Sequence, residues 1–204
     1  MENSLFLEAL ETESLADPAL HQYYHNLFDR RTIVLNQEID ENIIEMVSLP
    51  LLEWDNDNSG KPITILLNSP GGSVLPALHL CNIIEQLKTP TTIIVLGYAL
   101  SMGFILACSG SKNPNVITKA YEGSIFMYHA GDINLGGTSG QAKSFMKFNE
   151  KLEKYMEDFI ISHTEITQKD YEAYRDQDQW LTAQEALQLG VIDEIIGKVN
   201  EPNE

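Results

Sequence analysis

The chain is poor in cysteine and in positive charge. Its 204 residues contain two cysteines, Cys81 and Cys108, and neither belongs to a Cys-x-x-Cys pair or a histidine-rich stretch. That excludes a disulfide framework and a thiolate metal site, and reads as buried, reduced thiols of a cytoplasmic protein. Lysine and arginine number 13 against 30 aspartates and glutamates, a formal net charge of −17. So acidic a chain repels phosphate, which excludes nucleic acid and anionic membrane surfaces as partners. Internal repeats and low-complexity segments are absent. The first residues, Met-Glu-Asn-Ser, are acidic where a secretory signal is basic. The acidic loop Asp55–Gly60 lacks the distal glutamate of a calcium loop, and Gly71-Gly72 is not followed by the Gly-Lys-Ser/Thr of a nucleotide loop. No metal and no cofactor are expected.

Charge is also missing locally. From Thr89 to Ser111 there is no Asp, Glu, Lys, Arg or His. A membrane helix is one reading of such a run, but Gly97, Ser101 and Gly103 divide it. Thr91–Leu96 is β-branched and predicts a buried strand, whereas Met102–Cys108 predicts a buried helix closed near Gly110. Ser101 would then sit at a strand-to-helix turn, where a nucleophile is held rigidly and the helix dipole favours negative charge. A small residue chosen for close packing accounts for the same pattern, and the run alone leaves both readings open.

What surrounds this run is alternating. Ala19–Arg30 predicts a helix and Arg31–Leu35 a strand. A helix follows with Ile43, Ile44, Val47, Leu51 and Leu52 on one stripe, capped by Asp40. Pro62–Leu67 is a second strand. It runs into Asn68-Ser69-Pro70-Gly71-Gly72-Ser73-Val74 and then a helix. Glycines there bring backbone N–H groups close to a ligand or make a tight turn. Val116-Ile117 and Ser124–Tyr128 are further strands, the second ending on His129. Gly131, Gly136 and Gly137 mark an extended segment over Ala130–Thr138. Ser139–His163 is the longest helix, its apolar stripe suited to a partner or the core. Thr182-Ala183-Gln184-Glu185 is a capping box, and Val191-Ile192 with Ile195-Ile196 predict a last strand. The alternation argues an α/β fold with a layered, mostly parallel sheet. The layout is an acidic N-terminal segment over 1–20, one domain over 21–197 and a tail over 198–204.

Ser101, His129 and an aspartate near 178 supply a nucleophile, a base and an orienting carboxylate. A serine hydroxyl attacks a carbonyl only when an imidazole takes its proton, and the carboxylate fixes the imidazole tautomer. Backbone N–H groups of Gly72 and Met102 could receive the oxyanion. If the stretch before Trp180 is extended, Asp176, Asp178 and Trp180 share a face. His129 also suits a satisfied core histidine, and spacing does not choose between the two.

Asn68–Val74, Gly97–Gly103, Gly123–His129, Asp178–Ala186 and Gly190–Asp193 occur in order. Together they resemble the ClpP family, the proteolytic subunit of the ATP-dependent Clp protease, over most of the chain. The resemblance implies a crotonase-like α/β subunit whose segment 130–163 is a protruding handle. It implies a serine endopeptidase that assembles as a homo-oligomer, two stacked heptameric rings making a tetradecamer with the sites inside. Ser101 matches the nucleophile, His129 the base, and Asp178, next to Gln179-Trp180-Leu181, the triad acid. Gly72 and Met102 match the oxyanion donors. Substrate would lie along Gly71, Ser73 and Val74 and the segment opening at Gly131. ATP would be used only by a partner unfoldase.

Four departures mark a divergent member, one being an N-terminal segment longer and more acidic than the family's usual axial loop. Family members that dock hexameric AAA+ unfoldases present aromatic residues in a surface pocket, and the matching positions here are Thr64, Leu66 and Gln86. That speaks against docking of a standard Clp ATPase. Ala130-Gly131-Asp132 stands where the family has Gln-Pro. Gln177 and Gln179 flank Asp178, and the nearest arginine is Arg175. Two other functions suit the same pattern: a ring-forming regulatory or structural subunit with little activity, and an acyl-CoA hydratase or isomerase. The last keeps the oxyanion glycines but has no use for Ser101 and His129 together.

Overall fold

The computed structural model describes residues 18–131, 137–173 and 177–197. The acidic segment up to residue 17, Asp132–Gly136, Arg175, Asp176 and the tail from residue 198 lie outside them.

Seven strands form one sheet: β1 (Thr32–Leu35), β2 (Ile63–Ser69), β3 (Thr91–Leu100), β4 (Val116–Tyr121), β5 (Ile125–Tyr128), β6 (Gln179–Thr182) and β7 (Glu194–Ile196). The order β1-β2-β3-β4-β7 is parallel throughout. β5 adds to β3 in parallel, and β6 closes antiparallel onto β5. This is the α/β class and mostly parallel sheet that the alternation implied. The helices are α1 (Pro18–Asp29), α2 (Leu49–Asn56) entered through a π-turn at Ile44–Ser48, α3 (Val74–Ile84), α4 (Met102–Cys108), α5 (Ser139–His163), α6 (Gln168–Ala173) and α7 (Ala183–Gln188).

Strand alternation decides which face is covered. Ile63, Ile65, Leu67, Ile93, Val95 and Ala120 are buried, while Thr64, Leu66, Ile94 and Lys119 between them are half-exposed. Every residue of α4 is buried, which is why that helix is apolar all round. The charge-free run is therefore the central strand and the central helix. Among the described residues no helix is long and apolar enough to cross a membrane. Cys81 and Cys108 are free thiols inside this core.

β3 is forked. Its first half, Thr91–Val95, pairs with β4, and its last three residues, Tyr98–Leu100, pair with β5. Toward β2 the register slips: Leu67 faces Val95, but Ser69 faces Ala99. Asn68 fills the bulge, accepting from the Tyr98 N–H at 3.1 Å and donating to Asn36 Oδ1 at 2.6 Å. A bulge adds twist, and it turns the end of β3 away from β4 toward β5.

α5 begins with a capping box between Thr138 and Gln141. In the described part only Glu157, Phe159, Ile160 and His163 are buried, so the first half projects, with Phe145, Met146 and Phe148 exposed. His163 anchors the other end. Its Nε2 lies 3.0 Å from Glu85 Oε1 just past α3, and its ring stacks on Phe159 at 3.9 Å.

Several boundaries differ from expectation. β2 and β3 run on to Ser69 and Leu100, because parallel pairing continues past the apolar residues that announced them. Val191 and Ile192 are buried but not in a strand. The short last strand is Glu194–Ile196, placed by Asp193, whose N–H donates to the Thr118 carbonyl at 2.8 Å and whose Oδ2 accepts from the Thr118 N–H at 2.7 Å. The loop after Asp55 is not simply solvated: Asp55 Oδ1 accepts from the N–H groups of Lys88 and Thr89, both at 2.8 Å.

Candidate active site

Ser101 lies where β3 ends and α4 begins, with φ 51° and ψ −119°. A non-glycine residue in that region is strained by about 1–3 kcal/mol, and such strain collects at functional sites. The turn is over-determined. The Ser101 N–H donates to the Met127 carbonyl at 2.7 Å, and its own carbonyl accepts from Phe104 N at 3.0 Å. Gly71 packs beneath it. A Cβ at Gly71 would come within 2.7 Å of both Leu100 O and Ser101 Cβ, and its φ is +100°.

Two registers bring the partners in. Leu100 pairs with Met127, so the chain two residues past Met127 reaches Ser101. His129 Nε2 lies 2.8 Å from Ser101 Oγ, a hydrogen bond in which the hydroxyl donates when Nδ1 carries the ring proton. Tyr128 pairs antiparallel with Gln179, so the next opposed pair is His129 and Asp178. Asp178 Oδ1 is 3.7 Å from His129 Nδ1. That is an ion-pair distance, longer than a hydrogen bond. The Asp178 side chain is 53 % exposed against 24 % for His129.

The glycine pair supplies the opposite wall. The Gly71 carbonyl accepts from Ile39 N and the Ser73 N–H donates to Ile39 O, each at 2.7 Å. Amides alternate in direction along an extended chain, so the Gly72 N–H points away from Ile39. A side chain at Gly72 is impossible, since its Cβ would lie 2.7 Å from Ile39 N with φ at +139°. The Met102 N–H, at the first residue of α4, has no partner within its own helix. Gly103 lets α4 approach β2 closely, since a Cβ there would meet the Ser69 carbonyl at 2.8 Å.

These groups border a cavity of roughly 530 Å³. Gly72, Ser73, Val74, Ser101, His129, Ala130 and Gly131 line it, as do Glu38 and a stripe of α5: Asn149, Leu152, Glu153 and Met156. Gly71 is not in the lining; it is buried under the Ser101 turn instead. Thr64 and Leu66 are half-buried on the open face of β2, and Gln86 is exposed. Glu38, Asn149 and Glu153 were not anticipated. The signal was present in Leu152 and Met156, four residues apart in the α5 stripe, but that stripe reads equally as partner or core packing.

Neither thiol is a candidate nucleophile. Burial pushes Cys108 up to about 12 and Cys81 well above its ordinary range, so neither is a thiolate at neutral pH. Among the described residues no group of three or more His, Cys, Asp or Glu could hold a metal ion.

The family model for Clp protease matches residues 16–199. The chain belongs to the Clp protease family. It is 33% identical over 189 residues to the ATP-dependent Clp protease proteolytic subunit 2 of Prochlorococcus marinus (strain MIT 9312), covering 89% of this chain and 88% of that one. It is 32% identical over 186 residues to proteolytic subunit 3 of Synechococcus sp. (strain CC9605), covering 87% and 88%. Against proteolytic subunit 2 of Thermobifida fusca (strain YX) it is 28% identical over 189 residues, covering 93% and 92%. For a Clp protease family chain, a serine, a histidine and an aspartate meeting at three strand ends is an arrangement with a direct chemical use.

Proposed function

We propose that this chain is a serine endopeptidase that hydrolyses peptide bonds of unfolded polypeptides or short peptides. The observation that carries the reading is the 2.8 Å contact between His129 Nε2 and the hydroxyl of Ser101, a residue held at positive φ. His129 takes the Ser101 proton as Oγ attacks the scissile carbonyl. The Gly72 and Met102 N–H groups receive the oxyanion. The imidazolium then protonates the leaving amine, and water activated by the same imidazole frees the acyl-enzyme. Asp178 holds the tautomer that leaves Nε2 as acceptor. Its 3.7 Å gap to Nδ1 closes when the site is loaded or assembled, as catalytic hydrogen bonds in free sites often do.

The assembly that fits is a homo-oligomer of two stacked rings in the cytoplasm, α5 reaching between rings and the sites facing an inner chamber. ATP enters only through a partner unfoldase. Thr64, Leu66 and Gln86 offer that partner no aromatic pocket, so its docking differs from the standard one.

A fluorophosphonate probe tests the proposal. It labels the wild-type chain at Ser101, and Ser101→Ala abolishes both labelling and peptide turnover, by roughly a thousand-fold or more. An assembled wild-type particle that is neither labelled nor active on any peptide overturns it, in favour of a ring subunit without catalysis of its own.

A further inference from the structure

The cavity beside Ser101 is not simply apolar. Its α5 wall is Asn149, Leu152, Glu153 and Met156. The spacing i, i+3, i+4, i+7 puts these on one stripe about 10 Å long. Leu152 and Met156 are half-buried and, with Val74, make an aliphatic wall. Two carboxylates share the cavity with them: Glu153 from the helix and Glu38 from the segment after β1. Among the described residues that line it, none is a lysine or arginine.

Glu153 is oriented by its own helix. Its Oε1 accepts from Asn149 Nδ2 at 2.6 Å. A carboxylate has about four lone-pair positions, and Asn149 uses one. The adjacent cation on α5 is engaged elsewhere: Lys154 Nζ lies 2.9 Å from both Glu157 Oε1 and Asp158 Oδ1, and Lys151, two residues before Glu153, is exposed and outside the cavity lining. Glu38 is placed by the backbone beside it, since the Ile39 N–H and carbonyl clamp the strand of Gly71–Ser73 and bring the Glu38 Cγ against Gly72.

We propose that this cavity is a recognition pocket for a lysine or arginine side chain at P1, the residue whose carbonyl Ser101 attacks. The aliphatic stem lies on Val74, Leu152 and Met156, and the cationic head reaches Glu153 and Glu38, the division that long basic side chains adopt at any apolar wall with a polar rim. A leucine fills only the stem portion of a cavity this size. A glutamate meets two like charges, which a pocket uses to reject as effectively as it attracts. The chain's net charge of −17 adds a field that concentrates cationic peptides at the site. This assignment rests on the peptidase reading of Ser101.

The test uses the full assembled chain and four fluorogenic peptides that differ only at P1, carrying Lys, Arg, Leu or Glu. The Lys and Arg peptides are expected to exceed the Leu peptide about ten-fold in kcat/KM and the Glu peptide by more. Glu153→Gln and Glu38→Gln each lower the Lys-to-Leu ratio several-fold, and Glu153→Lys shifts preference toward the Glu peptide. Sedimentation and circular dichroism establish that each variant is folded and assembled. A Leu or Glu peptide cleaved as well as the Lys peptide, or a Lys-to-Leu ratio unmoved in both glutamine variants, overturns the pocket assignment and leaves the peptidase standing. Failure to cleave any of the four, with no labelling at Ser101, overturns both.

Discussion

Gly71 shows how tightly the site is tied to single residues. Its backbone lies at φ +100°, and a Cβ would press on Leu100 O and Ser101 Cβ at 2.7 Å. Gly71→Ala therefore acts twice. Stability falls by about 2 kcal/mol or more from strain and overlap, read as a lower urea midpoint. With Ser101 in its proposed role, turnover falls further than stability does, because a nucleophile displaced by ~1 Å loses on the order of a hundred-fold. A variant as active and as stable as wild type would show that Gly71 does not set the Ser101 turn. Glycine at Gly123 has no such role: nothing lies within 4 Å of a Cβ there. The two glycines look alike as letters and differ entirely in what surrounds them.

At the scale of elements, the sheet's edges are held by side chains reaching to distant backbone. Arg31, just before β1, is buried at positive φ and grips α2: it pairs with Asp57, donates to the Trp54 carbonyl at 2.7 Å and stacks over the Trp54 ring at 5.5 Å. Asp57 is held below its ordinary 3.8, first by the Ser59 N–H, then by the Ser59 hydroxyl and Arg31. A carboxyl lowered in the folded state contributes stability that is complete above 3.8 and lost as pH falls through its folded value. Asp57→Asn is thus expected to be less stable than wild type at neutral pH. The gap closes as the pH is taken well below 3.8, as urea titrations across that range would read. A gap that persists unchanged into acid would mean the Asp57 charge is not its source. The same logic applies to Glu185, lowered by the Thr182 N–H and hydroxyl at the capping box that starts α7.

At the scale of the molecule, the exposed apolar face of α5 is what a single chain leaves unfinished. Phe145, Phe148 and Tyr155, within about 80° of one another around the helix, are 45–48 % exposed, and apolar side chains gathered on one exposed face mark an interaction site. In the proposed ring assembly a second copy of this chain is the occupant. Phe148→Asp is expected to shift sedimentation to smaller particles, and to reduce peptide turnover if closure of Asp178 onto His129 depends on assembly. Like-charged subunits repel, so added salt favours the larger particle. Unchanged sedimentation of Phe148→Asp would show that this face is not an interface.

Much of this was written in the chain. The charge-free run reads as a strand and a helix of the core, and the break at Gly97–Gly103 puts Ser101 at the turn between them, where the structure has it. The order of strand, turn and helix dictated a parallel α/β sheet, because parallel strands need crossovers of that length. Tertiary structure decided what depends on register. Local pattern does not say that β3 bulges against Asn68, that β6 turns antiparallel, or that Asp178 thereby falls opposite His129, since these are pairings between strands far apart in sequence. Nor does it say that Glu38 and Glu153, 115 residues apart by number, share one cavity with Ser101. Short-range chemistry determined which elements exist; the long-range pairing of their ends determined which side chains meet.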